Sequence, residues 1–164
     1  MSKKLLFFAA FAVMITSFYG CPIGIDYPLA KTGGEKINKD LIGTWVAEGD
    51  GEVKKATISK NDDNSYKITV EERGEMYSLE TDNLSGWITE LDGKSFLIFK
   101  PENEEKYYHY MIKESGKRTM VTCDVSLLDG GVDAVTSTET LREQVSLSMK
   151  KAEFCVETTR WTKQ

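Results

Sequence analysis

Short strand signals recurring every eight to twelve residues, most of them separated by turn-forming clusters, constrain this 164-residue chain more than any other feature. Runs rich in β-branched and aromatic residues cover Leu41–Glu48, Val53–Lys60, Ser65–Glu72, Met76–Thr81, Leu84–Leu91, Ser95–Lys100, Lys106–Glu114 and Arg118–Leu127. Gly49-Asp50-Gly51, Asn61-Asp62-Asp63-Asn64 and Asp92-Gly93 lie between them, and each supplies residues that enter positive φ at little cost. Tyr66, Ile68 and Val70 alternate with Lys67, Thr69 and Glu71, so one face of that strand is buried and the other is wet. The rhythm is that of an antiparallel sandwich or barrel.

One helix interrupts it. Thr136 and Glu139 read as a T-x-x-E capping box, and Leu141, Val145 and Met149 recur every fourth residue as an apolar stripe that docks on the sheet. A last strand, Glu153–Trp161, ends the chain. The expected inward residues, Trp45, Tyr66, Ile68, Trp87, Phe96, Ile98, Tyr108, Tyr110, Val121 and Val125, are bulky and favour a filled core. In the run Tyr107-Tyr108-His109-Tyr110, alternation sets Tyr108 and Tyr110 on one face and Tyr107 and His109 on the other.

Ahead of the strands the composition changes twice. Lys3 and Lys4 precede an apolar stretch from Leu5 to Phe18 that is short for a bilayer span, so residues 1–20 read as a cleaved export signal. Without them the 21 basic residues fall to 19 against 26 acidic ones, a net charge of −7. That balance disfavours nucleic acid and anionic headgroups, which need a dense positive patch. Residues 21–39 are rich in Pro, Gly and Lys, include Gly33-Gly34, and hold no sustained period, which reads as a flexible tether. Residues 40–164 then form a single domain.

Catalytic and metal chemistry find little footing. His109 is the only histidine, no G-x-S-x-G is present, and nothing marks a nucleophile or an orienting carboxylate near it. One histidine with Cys123 and Cys155 lacks zinc spacing, and Asp62-Asp63 and Glu102–Glu105 do not follow the EF-hand pattern. The sequence therefore leads us to expect neither an enzyme nor a cofactor.

Phe18-Tyr19-Gly20-Cys21 resembles a lipobox, the motif whose cysteine is acylated before cleavage makes it the new N-terminus. The match lies in Gly20 and Cys21, whereas Phe18 and Tyr19 depart from the usual residues. The resemblance implies lipidation of Cys21 and a membrane anchor, and Pro22 after it gives the outer membrane, facing the periplasm, as the default address. Eight meandering strands, a helix and a short final strand is also the element order of the lipocalins. Gly43-Thr44-Trp45 looks like their G-x-W motif, in which the tryptophan plugs the closed end of an eight-stranded antiparallel barrel. Neither the T-D-Y turn nor the arginine just before the helix is found; Arg160, after the helix, offers another route to Trp45.

The resemblance implies a barrel interior that takes a small apolar ligand, with Arg160 and Trp45 as its contacts and Arg160 as a clamp for a carboxylate. The alternative is an envelope protein-interaction module or hydrolase inhibitor with a filled core and an unidentified protein partner. With Cys21 lipidated, Cys123 and Cys155 remain, and an oxidising envelope permits a disulfide. Lipocalin order, which would put the first strand between them, argues against one.

Overall fold

A computed structural model of the chain describes residues 23–49, 52–73 and 80–164. The export signal with Cys21, the turn residues Asp50 and Gly51, and residues 76–79 of the fourth expected strand lie outside them. Eight antiparallel strands close into a barrel: β1 (Gly43–Gly49), β2 (Glu52–Lys60), β3 (Tyr66–Arg73), β4 (Glu80–Leu91), β5 (Lys94–Pro101), β6 (Tyr108–Ser115), β7 (Thr119–Asp124) and β8 (Thr159–Lys163). The helix α1 (Thr138–Ser148) stands between β7 and β8.

The element count differs from expectation in one place. Thr81 and Leu84 belong to the same strand β4, so seven strands meander before the helix. The strand after the helix is therefore the eighth stave of the barrel and not an appendage to it. It pairs with β7 through Thr119↔Thr162 to Thr122↔Thr159, and with β1 only through Trp45↔Lys163 and Val46↔Thr162. The tight joint at Asp92-Gly93 does what its composition requires, with φ of 50° and 72° between the paired ends Leu91 and Lys94.

Registers sort the residues into two cores on opposite faces of the sheet. Cross-strand partners Trp45↔Ala56, Ile58↔Ile68, Tyr66↔Gly86 and Ile88↔Leu97 share the inner face, and the buried cluster of Leu41, Trp45, Ala56, Ile58, Tyr66, Ile68, Leu97 and Met120 fills its closed end. Trp87↔Ile98, Ile98↔His109, Phe96↔Met111 and Met111↔Cys123 share the outer face. There they form a second core with Leu141 and Val145 of α1, with Ile25 and Leu29, and with Phe154 and Cys155. Trp87, Phe96, Ile98, Val121 and Val125, expected inside, are thus buried outside the barrel. Alternation gives two faces but not which one the helix covers.

The helix begins one residue later than the box suggested. Ser137 is its N-cap, accepting from Thr140 N–H, while Thr140 Oγ1 accepts from Ser137 N–H in return. Leu141 and Val145 are completely buried, each stabilising the docked helix by about 1.5–3 kcal/mol.

The tether expected over residues 21–39 is corrected for its described part, which is a strap. Ile25 and Leu29 are buried, and Ile25 exchanges both backbone hydrogen bonds with Tyr107, at 2.9 and 2.8 Å. Leu29 N–H donates to His109 Nε2 at 3.1 Å, Trp87 Nε1 donates to Ala30 O at 2.7 Å, and Arg142 and Thr138 of α1 donate to Leu29 O and Pro28 O. Further on, Ile37 N–H reaches Asp63 O and Asn38 N–H reaches Tyr66 Oη, which leads the strap across the closed end. Its two apolar anchors are too few for a periodic signal, and its remaining bonds are made by backbone, which composition does not report.

Candidate functional site

The barrel has a floor and a mouth. At the floor the Trp45 ring is fully buried, its Nε1 donates to Leu41 O at 2.8 Å, and the Lys163 ammonium lies 5.1 Å from its ring centroid. Lys163 also donates to Asp40 O, capping the 3-10 turn Lys39–Leu41 that covers the floor. Gly43, at φ 141°, lets that lysine cross the start of β1, because a Cβ there would collide with Lys163 Cε. Gly86 does the same inside the barrel, where a Cβ would stand 2.6 Å from Ile68 Cδ1.

Above the floor the lumen changes character. Val70, Leu84, Phe99, Ile112 and Trp161 point inward by register and pack on the floor cluster, yet each keeps part of its surface in contact with solvent. Side chains at the centre of a filled barrel have no such contact. Ala47, one step above Trp45 on β1, is a small inward position in the same half. Near the wall Trp161 Nε1 donates to Thr122 Oγ1 at 3.0 Å, and Phe99 and Tyr110 set their rings 5.4 Å apart. Beside Trp161 the wall is thin, because β8 meets β1 at only two residue pairs.

Toward the mouth the inner face becomes polar and mostly acidic. Lys54, Glu72, Asp82, Tyr108, Tyr110 and Asp124 occupy inward register positions on five strands. Lys54 and Glu72 form an ion pair at 3.3 Å. Tyr110 lies directly opposite Asp124, and among the described residues its hydroxyl has no hydrogen-bond partner. Burial, then the charges of Asp124 and of Glu72 across the lumen, push that phenol well above its ordinary pKa. The Tyr108 phenol is raised to about 12, first by donating to Glu104 at 2.8 Å and then by burial. Burial pushes Asp124 up to about 6, against the opposing pull of its neighbour Ser126.

Of the residues expected to bind a ligand, Trp45 is at the floor and Arg160 is not in the lumen. Arg160 lies between the inward residues Thr159 and Trp161 and opposite the outer-face residue Val121, so it faces out, where its side chain is 65% exposed and pairs loosely with Glu114 at 3.8 Å. It does not reach Trp45; Lys163 takes that place. Cys123 and Cys155 are bonded, with Cα atoms 5.4 Å apart. The argument from strand order against that bond fails because Cys155 is in no strand: it occupies a turn before β8, at φ 67°, over the outer face of β7. Glu72 and Asp124 were missed. Continuing the Tyr66–Val70 alternation by one step reaches Glu72, whereas Asp124 follows only from the register of β7, which is shifted by a bulge between Ile112 and Glu114.

Fold and site together define a small antiparallel barrel with a packed floor, partly exposed inward apolar side chains beside it and an acidic mouth. Comparison with family models, with curated proteins and with solved structures finds no match to this chain in any of the three. Among the described residues, no three His, Cys, Asp or Glu side chains gather as a metal site, and no helix is long and apolar enough to cross a membrane.

Proposed function

We propose that this chain is a lipid-anchored envelope protein that holds a small molecule with an apolar body in the upper lumen of its barrel. The observation carrying this reading is the solvent contact of the inward apolar residues Val70, Leu84, Phe99, Ile112 and Trp161. Such surface gains roughly 25 cal/mol per Å² when an apolar guest covers it, and the acidic ring above supplies the polar contacts that orient a guest. An interaction module built over a filled core would not need these inward side chains to keep solvent contact. The anchor rests on the Lys3–Lys4 start, the apolar run to Phe18 and Cys21. The Cys123–Cys155 bond is in keeping with an oxidising compartment.

The neutral probe N-phenyl-1-naphthylamine tests the lumen. Wild-type protein should bind it saturably, and so should Lys67→Trp, which adds the same bulk to the exposed outer face of β3. Leu84→Trp, filling the lumen, should weaken binding at least about ten-fold, the scale set by losing some 1.4 kcal/mol of contact. Equal binding by Leu84→Trp and Lys67→Trp overturns the reading. Cys21→Ser tests the anchor separately: it should abolish labelling by a fatty-acid analogue.

A further inference from the structure

We propose that the ligand of this lumen is a cation, an alkyl- or aryl-ammonium whose apolar body sits on the floor cluster and whose charged head lies at the mouth between Asp124, Glu72 and the rings of Tyr110 and Tyr108. This rests on the lumen reading above and adds the chemical class of the guest. The carboxylate guest that Arg160 suggested loses its partner, since Arg160 lies outside the barrel at 65% exposure. Two features of different kind point the other way. One is charge: of the inward groups near the mouth, Glu72, Asp82 and Asp124 are acids and Lys54 is the one base among the described residues, already engaged with Glu72 at 3.3 Å. No described residue forms an ion pair with Asp124.

The other is the aromatic wall. Phe99 and Tyr110 stand 5.4 Å apart, Tyr108 is the register partner of Phe99, and ring faces attract a desolvated ammonium. The Tyr110 hydroxyl, without a partner and directly opposite Asp124, is an oxygen acceptor for an N–H donor inside the lumen. An ammonium there satisfies this acceptor and neutralises a carboxylate that burial, with a smaller push from Glu157, makes reluctant to ionise. A fatty acid would bring a second anion to the same place.

Octylammonium, octanol and octanoate share one apolar body and differ in the head. With the full chain in phosphatidylcholine vesicles at pH 7.5, and protein-free vesicles as reference, each displaces bound N-phenyl-1-naphthylamine. Octylammonium should act at a concentration about ten-fold or more below octanol, the scale of one charge-assisted contact, with octanoate weakest. Asp124→Asn should bring octylammonium and octanol together, and Glu72→Gln should narrow the gap. Octanoate matching or surpassing octylammonium overturns the proposal, as does an amine preference that survives both substitutions. Equal displacement by all three overturns the charge recognition and leaves the lumen standing. A probe that never binds overturns the lumen itself.

Discussion

At the scale of single residues, the G-x-W element works through a partner the sequence did not single out. Gly43 gives Lys163 room to cross, Lys163 lies over the ring of Trp45, and Trp45 closes the floor. Trp45→Ala removes a fully buried indole from a site with rigid strands on all sides and should cost about 3–5 kcal/mol, read as a shift of the urea midpoint. His109 makes a second prediction. Its Nε2 accepts from Leu29 N–H, and burial lowers its pKa from 6.5 to about 4. Between those values the unfolded chain binds a proton that the fold refuses. Stability is therefore full above pH 6.5 and falls as the pH drops toward 4, by on the order of 3 kcal/mol. Asp124 acts in the opposite sense: its folded pKa of about 6 lies above the unfolded value, so acidification through 6 relieves the cost of burying its charge. Urea midpoints at pH 7.5 and 5 should separate the two. Asp124→Asn should steepen the acid loss, whereas His109→Gln should reverse its sign; a wild-type slope retained in His109→Gln would refute the assignment.

At the scale of elements, β8 is the weak stave, and the disulfide compensates for it. This five-residue strand holds four partners on β7 and two on β1, and it follows a helix and a long connection. The Cys123–Cys155 bond fixes the chain to β7 four residues before β8 begins, across a sequence separation of 32 residues. A loop of that length gives roughly 3–4 kcal/mol of stabilisation through the unfolded chain. Reduction should lower global stability by that order and raise amide exchange first in Thr159–Lys163, with β2–β5 protected; uniform exchange would mean that β8 is not the limiting element. The barrel itself was legible, because alternation, turn residues and strand spacing are local properties. Tyr66, Ile68 and Val70 face in as their period requires, and Asp92-Gly93 turns as its residues require. What was not legible is set by distance. The strap depends on Leu29 meeting His109 80 residues away, the disulfide on a turn that is no strand, and the acidic lumen on a bulged register between β6 and β7.

For the whole molecule, the strap fixes where an anchor would sit relative to the mouth. Ile25 is stitched to Tyr107, and Gly24 packs on Lys106 and Tyr108, at the mouth end of β6. From Cys21 to Ile25 the chain reaches at most about 14 Å, at 3.3–3.6 Å per residue. If Cys21 is acylated as proposed, it would hold the mouth at the headgroups with almost no slack, where a guest of the proposed lumen would pass from the bilayer without crossing bulk water. The eight-residue strands β5 and β6 run roughly 26 Å along their length, about 20 Å along the axis once the usual 35–45° strand tilt is allowed for, so the two ends of the barrel differ in depth. A fluorophore on Glu104→Cys, in the loop between β5 and β6 at the mouth, should be quenched strongly by lipids spin-labelled on the headgroup. The same fluorophore on Lys117→Cys, in the turn between β6 and β7 at the opposite end, should be quenched weakly. A flexible ten-residue insertion after Pro22 should erase the difference by giving the anchor slack. Equal quenching of both positions in the unmodified chain would show that the anchor does not orient the barrel, and would remove direct transfer between membrane and lumen from the mechanism.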